Sequence, residues 1–245
     1  MTNFASYPSL AGKRIFITGG ASGIGAAMVR AFTGQGAVVG FVDIADDAGQ
    51  KLAVECGAAF TPVDVTDTAA LQAAITGFGA VDVLVNNVAN DTRHDWRLVT
   101  QDSWDAALAV NLRPAFFAIQ AVAEGMMARE HGSIINFGSI SWKVKFGNLP
   151  GYTTAKSAIH GLTKSFVTEL GGAGVRINTV LPGWVMTERQ KQEHWSEEGA
   201  RMLEASQPLK GEIQPEDAAA LVLFLASDDS RMCTGQDFTI DGGWT

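Results

Sequence analysis

Arg14-Ile15-Phe16-Ile17-Thr18-Gly19-Gly20-Ala21-Ser22-Gly23-Ile24-Gly25 decides the fold. The first five residues are a short β-branched and aromatic run, the mark of a buried strand. A helical pattern runs from Ile24 to Gln35. A strand, a glycine turn and a helix in that order form a phosphate cradle. The glycines let the backbone approach a pyrophosphate, which then meets the positive end of the helix. The spacing is T-G-x-x-x-G-x-G rather than G-x-G-x-x-G. A glycine cluster on its own is a plain turn; its place between strand and helix favours a cofactor.

Downstream, Ala37 to Val42 reads as a second strand ending in Asp43, 18 residues past Gly25. An acid there is placed to bind the ribose hydroxyls of NAD and would repel the extra phosphate of NADP. No lysine or arginine lies within the glycine loop or just after Asp43, so NAD is expected. Ala58 to Val63 is a third strand, followed by Asp64 and Val65. Asp64 can reach an adenine ring or serve only as a turn residue. Thr66 can cap a helix beginning at Asp67. Val81 to Val85 is a fourth strand, and Asn86-Asn87-Val88-Ala89 follows it, where paired asparagines can brace neighbouring strands. The polar run Asn90 to Trp96 is either a solvated loop or a rim that touches a polar substrate.

Gln101 to Arg129 reads as one long helix with Asn111 inside it and Pro114 shortly after. Both are locally unfavourable, which predicts a kink where Asn111 contributes to a site, or else a tolerated outer-face residue. Ile134 to Phe137 is an apolar strand with Ser139 just past its end. Tyr152 and Lys156 are four apart, on one face of a helix. A lysine ammonium beside a phenol favours the phenolate, so the Tyr152 pKa is expected below the usual value of about 10, as a general acid/base requires. Val175 to Leu181 is a further strand, and about 184–210 is a charged, aromatic-bearing segment expected to form a substrate lid. Pro215 starts a helix to Ala226, and Phe238 to Ile240 is the last strand. Strands alternating with helices predict an α/β chain: a single-domain Rossmann fold over 1–245, a doubly wound parallel sheet with helices on both faces.

The net charge of −8 and pI near 5.0 argue against nucleic acid and anionic membrane as partners. Cys56 and Cys233 lack metal or redox spacing, and no metal is expected. The longest apolar run, Ala218 to Ala226, is too short to span a bilayer. The N-terminal stretch has no signal-peptide pattern. A cytoplasmic protein is expected.

Together these residues resemble the short-chain dehydrogenase/reductase family over essentially the whole chain. The resemblance rests on Thr18-Gly19-x-x-x-Gly23-x-Gly25, Asn86-Asn87, Asn111, Ser139, Tyr152-x-x-x-Lys156, Pro182-Gly183 and Asp241-Gly242-Gly243. It implies that Tyr152 is the acid/base, that Lys156 lowers its pKa and binds the nicotinamide ribose, that Ser139 orients the substrate oxygen, and that Asn111 holds a water. It implies NAD contacts at Gly19, Ser22, Gly23, Ile24, Gly25, Asp43, Asp64, Val65, Asn87, Ala89, Tyr152, Lys156, Pro182 and Gly183, with Val185 and Thr187 on the carboxamide. A dimer or tetramer is also implied. Ala89 stands where the family usually has glycine, which crowds the backbone there.

A narrower resemblance, carried by Tyr7-Pro8-Ser9-Leu10, Asn90-Asp91-x-Arg93-His94, Asn136 to Trp142 and Leu221 to Cys233, is to bacterial NAD-dependent aldose 1-dehydrogenases. It implies oxidation of a xylose-, arabinose-, galactose- or fucose-type sugar at C1 to the aldonolactone. Trp142, Trp184 and Trp195 could offer flat faces to a sugar ring, and Asn90, Arg93, His94, Ser141 and Gln190 could bind its hydroxyls. Each tryptophan could equally serve packing. Two other readings stand: a dehydrogenase or reductase of another alcohol or ketone, of sugar-acid or 3-oxoacyl type, and a catalytically silent NAD-binding protein.

Overall fold

A computed structural model describes residues 4–245. Seven parallel strands form one sheet: β1 (Arg14–Thr18), β2 (Val38–Asp43), β3 (Ala59–Pro62), β4 (Val83–Asn86), β5 (Gly132–Phe137), β6 (Val175–Pro182) and β7 (Asp237–Ile240), in the order β3-β2-β1-β4-β5-β6-β7. The helices between them are α1 (Gly23–Gly34), α2 (Asp46–Cys56), α3 (Thr68–Phe78), α4 (Gln101–Asn111), α5 (Arg113–Ala128), α6 (Pro150–Gly171), α7 (Glu188–Glu193), α8 (Glu197–Ser206) and α9 (Pro215–Ala226).

Strand alternation divides the apolar residues between two cores. Ile15, Ile17, Phe41 and Val85 face α1 and α9, packing with Met28, Phe32 and Val222. Phe16, Val42, Leu84 and Ile134 face the other way, packing with Leu71 and Ile75 of α3 and Ile119 and Met126 of α5. Both faces are thus covered, as the sequence predicts for a parallel sheet. The chain winds outward from β1 to β3, then returns to β4 beside β1. A crevice opens at the carboxyl ends of the strands where that order reverses. The helix-to-strand turns at Gly57, Gly79 and Gly174 lie at the opposite edge.

Two local expectations are corrected. Thr66 does not cap the third helix: Asp67 does, its side chain accepting from the Ala70 N–H, while Thr66 donates to Asp64 Oδ1 at 2.8 Å. The 101–129 helix is two helices, broken at Leu112 (φ −131°, ψ −54°). Pro114 has no N–H to donate, and its ring would clash with the carbonyl of Val110 in a continuous helix. The stretch Gln101–Ala128 is apolar and long enough for a bilayer, with a mean hydropathy of 1.4 over its most apolar window. Instead the break lets α4 pack on α6 and α5 pack on α3.

Candidate active site

The glycine turn after β1 hugs the end of β2: Gly19 and Gly20 both donate to the Val42 carbonyl, at 2.8 and 3.1 Å. A Cβ on Gly25 would stand 1.8 Å from the Gly19 carbonyl oxygen, so only glycine lets α1 start this close to the turn. No side chain caps α1, and its first turn holds no acidic residue. By contrast, α3, α4, α7 and α8 all have side-chain caps. The first N–H groups of α1 therefore remain as donors at the positive end of the helix. They open into a crevice of about 970 Å³ that runs from Asp43 and Val65 to Tyr152 and Trp184. Uncapped donors and a glycine-lined wall fit a pyrophosphate.

Asp43 is braced at the mouth, its Oδ2 accepting from the Ala21 N–H and its Oδ1 from the Ala45 N–H, both at 3.0 Å. Arg30 lines the same end, but its guanidinium is held by Glu55 at 2.7 and 3.1 Å. Asn87 locks β4 to the glycine turn: its Nδ2 donates to the carbonyls of Thr18 (3.2 Å) and Gly19 (2.9 Å). Ala89 keeps a negative φ, so no glycine is required there. Every residue expected to touch the cofactor lines the crevice, from Gly19, Ser22, Gly23, Ile24 and Gly25 through Asp64, Val65, Asn87 and Ala89 to Pro182, Gly183, Val185 and Thr187.

Ser139, Tyr152 and Lys156 line the crevice together. Tyr152 and Lys156 stand one turn apart on α6, with the ammonium 6.0 Å from the ring centroid. Lys156 is 2% exposed and donates to the carbonyls of Phe137 (2.9 Å) and Val88 (3.4 Å). Ser139 Oγ accepts from the Ser141 N–H at 3.1 Å. The expected lowering of the Tyr152 pKa is corrected: burial pushes its hydroxyl up to about 12, while the neighbouring Ser139 hydroxyl pulls the other way. Burial also pushes the Lys156 ammonium down to about 8, against the pull of Asp91. Desolvation disfavours both charged forms, and the ammonium spends its hydrogen bonds on carbonyls rather than on the phenol.

Asn111 is placed differently from its sequence reading. It is 4% exposed and does not line the crevice. Its Oδ1 accepts from the Asn90 N–H (2.8 Å), and its Nδ2 donates to the carbonyls of Asn90 and Ala107 (both 3.0 Å). It clamps the loop after β4 to the end of α4, which explains the polar residue at the helix break.

Of the expected sugar contacts, Asn90, Arg93, Ser141, Trp184 and Gln190 line the crevice. His94, Trp142 and Trp195 do not. His94 turns back onto the Thr92 carbonyl at 3.0 Å, Trp142 packs on His160, and Trp195 packs on Trp184 with centroids 5.5 Å apart. The 184–210 segment forms α7 and α8 at the substrate end. It is tied to the loop after β4 through Asp91, whose carboxylate accepts from Arg189 Nη2 at 3.0 Å and Gln190 Nε2 at 2.7 Å. Gln190 Oε1 accepts in turn from Trp184 Nε1 at 2.9 Å. Sequence reasoning missed Asp91, Phe146, Arg189 and Trp244 as lining residues. Asp91 lies within the polar run already singled out; Trp244 carries no sequence signal.

A family model described as enoyl-(acyl carrier protein) reductase matches residues 19–245. The chain is 49% identical to a D-xylose 1-dehydrogenase of Caulobacter vibrioides, over 98% of each chain. It is 43% identical to a probable galactose dehydrogenase of Rhizobium meliloti, over 98% of this chain and 97% of that one. A 3-oxoacyl-[acyl-carrier protein] reductase from Brucella melitensis, solved with bound NAD, superposes with a TM-score of 0.88 at 30% identity, covering 100% of this chain and 98% of the other.

Proposed function

The chain belongs to the short-chain dehydrogenase/reductase family, and from that premise we propose that it oxidises the anomeric C1 hydroxyl of a cyclic aldose to the aldonolactone with NAD. One observation carries the reading. Over nearly its full length the chain follows a sugar 1-dehydrogenase while holding Ser139, Tyr152 and Lys156 on one wall of the crevice.

The glycine turn and the start of α1 would hold the pyrophosphate, and Asp43 the adenosine ribose. Asp43 favours NAD over NADP by charge, since Arg30, the cation at that end, is neutralised by Glu55. When bound, NAD supplies the hydride acceptor and a positive charge that favours anions in the crevice. Ser139 donates its hydroxyl proton toward the sugar O1 and fixes its position. As the phenolate, the form that the charge of bound NAD and the Lys156 ammonium would favour against the cost of burial, Tyr152 Oη takes the proton from that hydroxyl as the C1 hydride departs and the C1–O bond becomes a carbonyl. Lys156, buried one turn from the tyrosine, would stabilise the phenolate before the transfer, and Tyr152 is neutral once it holds the proton. Asn111 sets the path of the Asn90–Arg93 rim through its hydrogen bonds to the Asn90 backbone.

The segment 184–210 acts as a lid over the sugar, latched by Asp91. Phe116 and Met127, 40% and 37% exposed on α5, would be covered in a homo-oligomer. The two free cysteines suit a reducing cytoplasm.

Purified protein with NAD or NADP, followed by reduced-nicotinamide absorbance over a panel of aldoses, sugar acids and secondary alcohols, tests the reading. Fast NAD reduction by one or two aldoses is expected. Silence on every aldose with activity on a sugar acid or ketone would replace the substrate while keeping the catalytic set. The likeness to the Brucella 3-oxoacyl reductase makes a 3-oxoacyl thioester the first ketone to try.

A further inference from the structure

Outside the crevice, three residues from three elements form one hydrogen-bonded chain. His160 stands one turn beyond Lys156 on α6, facing Asp237 of β7 and Trp142 of the loop after β5. Asp237 Oδ2 lies 2.9 Å from His160 Nδ1. Trp142 Nε1 donates to His160 Nε2 at 3.2 Å, with the two rings edge to face at 5.1 Å.

An indole N–H can only donate, so Nε2 must be the bare nitrogen and Nδ1 must carry the proton, which it donates to Asp237. The geometry thus selects one tautomer, oriented by a carboxylate from the edge of the sheet. The His160 side chain is 15% exposed, whereas Asp237 and Trp142 on either side of it are 35% and 39% exposed, so the imidazole is the covered centre of a chain whose ends meet water.

The object held is the loop that forms the substrate wall. Trp142 follows directly on Ser139, Ile140 and Ser141, and Ser139 and Ser141 line the crevice. Gly138, just before them, has room for no more than hydrogen, because a Cβ there would meet Leu181 at 2.6 Å and His160 Nε2 at 3.4 Å. Farther on, Val144, Phe146 and Leu149 complete the same wall. Elsewhere the loop is held at its start by the Ile140 N–H to the Pro182 carbonyl (3.3 Å), near its end by the His94 N–H to the Asn148 carbonyl (2.9 Å), and by turns of its own backbone such as Lys143 N–H to the Ile140 carbonyl; the Trp142 indole holds the stretch between.

We propose that His160 is a positioning residue: through the Asp237–His160–Trp142 chain it fixes the 139–149 wall, and thereby the placing of the sugar against Tyr152. Trp142 acts as the anchor of that wall rather than as a stacking surface. The kinetic consequence rests on the aldose reading above; the ordering of the loop does not.

Trp142→Phe keeps an aromatic ring and removes the donor, and it is the first variant to make. Its amide hydrogen exchange over 140–149 should rise. Its KM for the preferred aldose should rise about five- to tenfold, with the KM for NAD and the melting temperature little changed. His160→Gln, whose amide oxygen falls near the Nε2 place, should retain most of the sugar affinity. His160→Asn, which keeps only the Asp237 side, should behave like Trp142→Phe, and the double variant should be no worse than either single one. A folded Trp142→Phe with unchanged exchange and unchanged sugar KM overturns the proposal. If His160→Asn fails to fold, Trp142→Phe alone decides. A wild-type protein that turns over no aldose defeats the substrate reading instead, and the exchange data still judge the anchor.

Discussion

At the scale of single residues, Tyr152 and Lys156 are legible in the sequence because helical spacing places them on one face. Their protonation is not legible, since it depends on burial that only the assembled sheet and helices create. Tyr152→Phe should lower kcat by about 10²- to 10⁴-fold, the usual worth of a general acid/base, while NAD binding followed by fluorescence stays within about twofold. A variant with near-normal turnover would sink the proton-transfer role. Lys156 gives a second test. Its pKa falls from 10.5 unfolded to about 8 folded, so between those values the unfolded chain binds a proton that the native one lacks. Stability from this group therefore rises with pH across that window, by about 1.4 kcal/mol per unit. Denaturant melts at pH 8 to 10 should show this slope in the wild type relative to Lys156→Met; parallel curves would place the lysine in solvent. His94, Trp142 and Trp195 show the limit of composition-based reading. Their chemistry suits a sugar, but the loop path turns them elsewhere, and no local pattern encodes that path.

Among the elements, all seven strands and the glycine turn follow from short apolar runs and glycine placement. The break between α4 and α5 is also foreshadowed, because Asn111 and Pro114 both disfavour a continuous helix. Which partner rewards the break is not foreshadowed: the Asn90 backbone lies 21 residues away in sequence. Asn111→Ala leaves the Asn90 N–H and C=O without their partner and should cost about 1 to 3 kcal/mol in urea unfolding. A change below about 0.5 kcal/mol would mean water replaces the amide freely. The Asp91 tie can be tested on its own. Asp91 joins the loop after β4 to α7 through Arg189 and Gln190. Asp91→Ala should speed tryptic cleavage after Arg189 and Lys191 severalfold, with cleavage elsewhere unaltered. Equal cleavage rates would show that α7 holds its place without the carboxylate.

For the molecule as a whole, the strand order makes the crevice a joint product of the two halves of the sheet. One wall comes from β1 to β3, the other from β4 to β6, so a ligand spanning both binds only the complete fold. NAD at about 100 times its dissociation constant should add roughly 2.7 kcal/mol of stability, read as a rise in melting temperature, whereas NADP at the same concentration should add far less. Equal shifts would remove Asp43 as the discriminating charge. The parallel strands have a further consequence for handling the protein. All the chemistry sits at one edge of the sheet, while the turns at Gly57, Gly79 and Gly174 mark the far edge. Gly57 has nothing within 4 Å of where a Cβ would stand. A linker attached in the turn after α2 would fasten the protein to an electrode or bead with its crevice facing outward, so that sugar and cofactor reach it unhindered.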